Sequence, residues 1–341
     1  MAPSLFPSPH LAADPALAAF IRAIPKTETH LHLEGALPHA LLRELDPSRF
    51  AAPPAFWEPG FRYDDFPHFD GVMREHAAAW FRSAEAYGRA AALLLPALAA
   101  QNVRYVEASV HLPAVHAAGG EAVLAALRAA AAATPQVELR LFAGMTRGLY
   151  ATHAAVIEAA LGWKEVDGFD VYGPEAVPFE PWTADVWRRA RQAGKFTKAH
   201  AGEFGDAAAV RHAVEALGVT RVEHGLAAAA DPALCALLRE RGVTLDICPV
   251  SNWRLRAVPS LGAHPIAALH RAGVRCTVST DDPFFFGTTL ENEYAALARE
   301  AGLTRTELLQ LARHGWEAAL VSPAVREEAL AEIAALQAGL G

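Results

Sequence analysis

Cysteine is scarce: Cys235, Cys248 and Cys276 are the only three in 341 residues, and no two form a CxxC pair. That excludes a disulfide framework and fits a reducing, cytoplasmic setting. Positive charge is the minority sign, with 30 Lys plus Arg against 38 Asp plus Glu and a net charge of -8. A chain that acidic is a poor match for a phosphate backbone or an anionic bilayer, so neither nucleic acid nor membrane is an expected partner. Long apolar runs are missing too. The most apolar stretches, 89–100 and 125–133, are alanine-rich and carry or adjoin charge. They fall short of the roughly 20 apolar residues that a membrane helix needs. The N-terminal stretch lacks the cationic start and continuous apolar segment of a signal peptide. Nor is there a GxGxxG or GxxxxGK[ST] loop, the phosphate cradle of open nucleotide-binding sheets.

What is present is ample core-forming material, 52% hydrophobic residues with a mean hydropathy of +0.14. Short strand-like segments alternate with Ala/Leu-rich segments of helical period. The strand candidates are 27–33, 103–111, 137–143, 168–172, 196–199, 221–224, 244–248 and 275–279. Gly194, Gly242 and Gly273 stand just before three of them, the grammar of a helix stop followed by a strand. Eight such units without a linker or fixed repeat predict one (β/α)8 TIM barrel over residues 26–341. Residues 1–25, rich in Pro and Ala and with a short helix expected over 15–23, read as an N-terminal extension.

A barrel gathers its chemistry at the C-terminal ends of its strands. The first candidate ends in His30 and His32, the fifth in His200 with Glu203 beyond it, the sixth in His224, the eighth in Asp281 and Asp282. In THLHL, strand alternation puts His30 and His32 on one face and Thr29, Leu31 and Leu33 on the other. Each motif alone has an ordinary structural explanation; the adjacent aspartates before Pro283, for instance, suit a helix cap. Together they bring imidazoles and carboxylates to one place from four distant segments. Three neutral imidazoles and a carboxylate suit one Zn2+ ion, which lowers the pKa of bound water towards neutrality. Glu203 is placed to manage protons, and His224 to orient the attacking oxygen.

The runs PKTETHLHLEGAL, HAGE, VEHG, CPVSN and STDDPFFFGTTLENEY, in this order, closely resemble the adenosine deaminase family of zinc aminohydrolases, over roughly residues 24–320. The resemblance implies zinc ligands at His30, His32, His200 and Asp281, and Glu203 as the acid/base that protonates purine N1 while C6 is attacked. It implies His224 as the residue aligning the hydroxide, Asp282 as the partner of N7, and Gly173 as the residue whose backbone meets N3. A helical cover after the first strand is also implied, and the aromatic-rich segment 56–81 occupies that place. Phe66 and Phe69 are its pocket candidates.

Two departures bear on the substrate. The family's nucleoside deaminases usually read HLDG, with the Asp near the ribose 5′-hydroxyl; here it is HLEG, and Glu34 resembles the branch acting on free adenine. That branch usually carries a Ser-Ser-Glu turn after the fourth strand, where this chain has Tyr172-Gly173-Pro174-Glu175. The expected substrate is therefore a 6-aminopurine of the adenosine type. Adenine and a 5′-extended adenosine such as aminodeoxyfutalosine are the alternatives, and a catalytically inactive purine-binding protein is the alternative of another class. A two-metal hydrolase is disfavoured because VDGFDVYGPE lacks the bridging lysine such sites usually place there, and a cytidine-deaminase-type centre because no PCxxC pair exists. Oligomeric state is left open.

Overall fold

The computed structural model describes residues 4–340. Eight parallel strands follow one another around a single sheet in chain order. They are β1 (Lys26–His32), β2 (Val103–His111), β3 (Glu138–Thr146), β4 (Gly168–Tyr172), β5 (Phe196–Ala201), β6 (Arg221–His224), β7 (Thr244–Ile247) and β8 (Arg275–Val278). Each falls on a segment expected from the sequence, with ends shifted by at most three residues. The seam between last and first strand is joined by a bridge between Leu31 and Asp281. There the His32 N–H donates to Asp281 O at 2.9 Å and the Asp281 N–H to His30 O at 3.0 Å. The chain is a (β/α)8 barrel. Gly242 and Gly273, at φ +64° and +80°, end the helices before β7 and β8 in the left-handed conformation anticipated for helix stops.

The alternation that made the strands legible has a cause inside the barrel. Outward side chains such as Val106, Leu141, Val171, Ala199 and Val222 are buried among the apolar core. Inward positions carry charge: Glu107, Asp170, Lys198, Arg221, Glu223 and Asp246 are all buried. Arg221 lies 3.1 Å from Glu107 and 2.7 Å from Asp246, and Lys198 Nζ lies 2.8 Å from Glu223. Buried charges persist only when paired in this way.

β1 breaks its own alternation. Glu28 pairs with Val106 and Leu31 with Ala108, so Thr29 and His30 together oppose Glu107. This one-residue bulge turns both side chains to the barrel interior. Thr29 Oγ1 sits 3.0 Å from Asp246 Oδ1 and 2.9 Å from Thr277 Oγ1. The expectation that Thr29 faces away from His30 is thus corrected, and the bulge is the reason.

Between β1 and β2 lie the helix His39–Leu45, a short 3-10 turn Ala55–Trp57 and the helix Phe66–Trp80, followed by the outer helix Ala84–Ala99. The segment 57–80 is fastened to the helix Pro283–Phe286 by Trp57 Nε1 donating to Phe284 O (2.6 Å) and the Tyr63 hydroxyl donating to Phe285 O (2.9 Å). Arg254 and Arg256, just after CPVSN, donate to the carbonyls of Glu58, Phe61 and Tyr63 from the other side. At the N-terminus, Pro15–Ala23 forms the anticipated helix, its first amides accepted by Asp14. The preceding turn docks through Ser8 on Thr289 and the His10 N–H on Asn292. Residues 1–3 of the expected extension, and residue 341 of the expected domain, lie outside the described residues. Among the described residues no helix is long and apolar enough to cross a membrane.

Candidate active site

His30, His32, His200 and Asp281 meet at the C-terminal strand ends, with one donor atom from each lying within 4.8 Å of all the others. His32 Nε2 stands 3.3 Å from His200 Nε2, and the Nε2 atoms of His30 and His32 each stand 3.3 Å from Asp281 Oδ1. A tetrahedron whose corners lie about 2.0–2.1 Å from its centre has edges of roughly 3.3–3.4 Å, so these three separations suit a small dication with nitrogen and oxygen ligands. His30 Nε2 is buried and has no hydrogen-bond partner among the described residues. The residues present fit a metal.

Their surroundings fix which nitrogen faces inward. His30 Nδ1 lies 3.3 Å from the carbonyl of Asp246, and His200 Nδ1 lies 2.7 Å from Glu223 Oε2 and 3.3 Å from Asp170 Oδ1. A carbonyl or carboxylate beside Nδ1, the usual outer partner of a ligating histidine, favours the proton there and leaves Nε2 turned to the cluster. Ser251 Oγ donates to Asp281 Oδ2 at 2.7 Å, and Arg147 Nη2 to His200 O at 2.5 Å. Asp281 and His224 both adopt positive φ, +64° and +66°. Non-glycine residues rarely hold that conformation, and where they do it commonly marks a functional site.

Beside the cluster a chain of hydrogen bonds can be followed donor by donor. The Ile266 N–H donates to His264 Nδ1 (3.1 Å), so the His264 proton is on Nε2 and is given to Asn252 Oδ1 (3.1 Å). The two protons of Asn252 Nδ2 then go to Glu203 Oε1 (2.7 Å) and His224 Nδ1 (3.0 Å). His224 is left with its proton on Nε2, 3.4 Å from Glu203 Oε2. Burial foremost, then the charges of Asp281 and Glu175, raise the Glu203 carboxyl well above the usual range. Burial, with His30 close by, drops His224 well below its ordinary value, keeping it neutral. Asp282 is pushed up by burial and by the charge of Asp281. A bound dication pulls the carboxyls the other way, towards the window in which an acid/base group exchanges protons near neutrality.

The remaining sequence candidates fall as follows. Asp282 is buried with its Oδ1 unpartnered, and it packs so closely on Gly35 that a Cβ there would lie 1.7 Å from Oδ1. Glu34 Oε1 accepts the Tyr87 hydroxyl at 2.7 Å and the His111 N–H at 3.0 Å. His111 Nδ1 in turn lies 2.8 Å from the hydroxyl of Tyr172, whose ring edges His32 with centroids 4.8 Å apart. Gly173, at φ +96°, turns the chain after β4 against Thr146. Phe66 meets Phe204, the residue after Glu203, at 5.9 Å, while Phe69 is buried, stacked on Phe286 at 5.1 Å.

Sequence reasoning passed over Asn252, Ser251, Glu223, Asp170, His264 and Glu175. CPVSN was visible as a motif, and the short helix Pro249–Arg254 shows its use: Ser251 holds the aspartate and Asn252 the glutamate. Glu175 accepts the backbone N–H of Glu203 at 3.0 Å and that of Gly205, holding the HAGE turn. His264 carried no signal, since nothing in its neighbourhood of the sequence marks it.

Amidohydrolases assemble such donors at the mouth of a barrel, and this chain is of that class. More narrowly, it belongs to the adenosine deaminase family, whose model matches residues 25–336. It is therefore a deaminase, a hydrolase of C–N bonds. Among its relatives is an adenine deaminase of Rhodospirillum rubrum, 34% identical and covering 96% of this chain and 100% of that one. Another is an aminodeoxyfutalosine deaminase of Streptomyces coelicolor, 33% identical over 89% of this chain and 82% of that one. A solved amidohydrolase from Burkhoderia ambifaria, with bound Zn, superposes with a TM-score of 0.80 at 27% identity, covering 96% of this chain and 95% of that one.

Proposed function

We propose that this chain hydrolyses the 6-amino group of adenine, giving hypoxanthine and ammonia at a single zinc ion held by His30, His32, His200 and Asp281. What carries the reading is the four-donor cluster with Glu203 fixed beside it by Asn252, in a chain matched over 96% of its length by an adenine deaminase. The balance between nucleoside and free base shifts to the base. Glu34, the departure from HLDG, is pinned by two internal donors, and Tyr87, Glu34, His111 and Tyr172 form one connected polar wall beside the ligands.

When bound, the ion supplies a water activated for attack at neutral pH. Glu203 gives its proton to N1, which draws electron density from C6. It then takes one proton of the attacking water and passes it to the amino group, which leaves as ammonia, and it recovers the second as the C6 oxygen becomes the carbonyl. His224, neutral and with Nε2–H directed at the same place, aligns the attacking oxygen. In the N9–H tautomer of adenine N7 only accepts hydrogen bonds, and Asp282 meets it as the protonated acid, the form that burial beside Asp281 favours. Gly173 presents backbone to the N3 side. Phe66 and Phe204, at the edge of the cover, shield the base from water, while Phe69 anchors the cover from behind.

The test is an ultraviolet assay of zinc-loaded protein with adenine, adenosine and aminodeoxyfutalosine side by side. Adenine is expected to turn over with the highest kcat/KM. Preferred turnover of aminodeoxyfutalosine, the second reading supported by the Streptomyces relative, would replace the substrate and keep the chemistry. No reaction with any of the three while zinc is bound would overturn the aminopurine reading.

A further inference from the structure

Below the metal ligands, the barrel interior holds a lysine that the reaction above does not use. Lys198 stands on β5 two residues before His200, so both face inward. Its side chain is 1% exposed; Nζ lies 2.8 Å from Glu223 Oε1 and donates to Thr29 O at 3.3 Å. Glu223, on β6, is paired in register with His200, and its other oxygen, Oε2, is the one 2.7 Å from His200 Nδ1. Glu223 thus reaches in two directions, to a ligand of the metal and to a buried cation one layer deeper. The other interior carboxylates stand further off: Glu107 and Asp246 share Arg221, with Glu107 3.8 Å from Lys198 Nζ, and Asp170 accepts the Ser109 hydroxyl at 2.6 Å while its other oxygen lies 3.3 Å from His200 Nδ1.

We propose that Lys198 and Glu223 are positioning residues for the metal site, the lysine holding the Glu223 side chain in place so that Glu223 fixes the ring of His200. This rests on the metal-centre reading above. A buried carboxylate without its cation is not held in place. His200 then loses the nearer of its two carboxylate neighbours, the one at 2.7 Å that keeps its ring turned with Nε2 towards the other ligands. Substitution of such outer partners typically weakens metal binding about 10–100-fold. The purine is not touched, so the loss belongs to zinc affinity and kcat, with KM little changed.

The experiment is a cycle of Lys198→Met, Glu223→Gln and the double variant, each measured for zinc affinity by competition with a chelator and for thermal stability. Each single variant is expected to lose stability and roughly 10–100-fold in zinc affinity. The double variant, which removes both members of the pair, is expected to regain stability while its zinc affinity stays low, because the nearer carboxylate beside His200 is gone and only Asp170, 3.3 Å away, remains. A double variant that regains wild-type zinc affinity along with stability would show the pair to be structural only and overturn the inference. Should a single variant fail to fold, the double variant alone decides. Wild-type protein that takes up no zinc would overturn the proposed function too, a result distinct from zinc-binding wild type with indifferent variants.

Discussion

At the scale of single residues, proton placement is set by hydrogen bonds that start from the backbone. The Ile266 amide can only donate, and that one fact propagates through His264 and Asn252 to leave a proton on His224 Nε2. Asn252→Leu removes both downstream bonds while leaving the four ligands intact; kcat should fall by roughly 10²-fold or more, with zinc content unchanged by elemental analysis. Glu203→Gln should likewise keep its zinc and lose at least about 10²–10⁴-fold in turnover. Asp281→Ala should lose zinc as well as rate, and full metal content in that variant would remove the aspartate from the ligand set. His264 gives a pH signature. Burial pushes its pKa down from 6.5 to about 3, so between those values the unfolded chain binds a proton that the folded one does not. Stability therefore falls as pH falls through this window, by about 1.4 kcal/mol per unit for this group. His264→Gln has no such proton to take up, so its stability deficit against wild type should narrow with acid. Denaturant titrations of metal-free protein at pH 7 and pH 5 check this, and a deficit that does not narrow would place the His264 pKa near its ordinary value.

At the scale of elements, the short turn Glu34–Ala36 and the helix Pro283–Phe286 are one mechanical unit. The first brings Gly35 flush against Asp282; the second starts from Asp282 and carries the Phe residues that hold the cover. Gly35→Ala has no room for its methyl, and displacement of Asp282 by about 1 Å should reduce kcat/KM on the order of 10²-fold, with the helical content read by circular dichroism preserved. The strands and their order were legible because they alternate with helical segments and several begin just after a glycine-marked helix stop. The residues of the cluster were legible because they close strands rather than scatter along them. The β1 bulge was not: Thr29 and His30 share a face only because the register of β2 leaves Glu107 opposite both, a fact of pairing rather than of local sequence. Glu223 was equally hidden, reading as an ordinary polar residue of a four-residue strand until β5 set His200 beside it.

At the scale of the whole molecule, the cluster ties distant parts of the chain together. Two ligands come from β1, one from β5, and one from the seam where β8 returns to β1. Binding to the folded state alone adds RT ln(1 + [L]/Kd), about 2.7 kcal/mol at a free zinc concentration of 100 Kd. Removal of zinc with a chelator should lower the melting temperature by several degrees, and stoichiometric zinc should restore it in calorimetry.

The same spread of ligands has a consequence for biosynthesis. His30 and His32 leave the ribosome early, and His200 much later, but the seam and its aspartate exist only once residue 281 of 341 has been made. A stalled or truncated chain carries the imidazoles without the fold that gathers them. With the proposed ligand set, capture of the ion is reserved for chains translated past β8, and metal content doubles as a record that residue 281 has been reached.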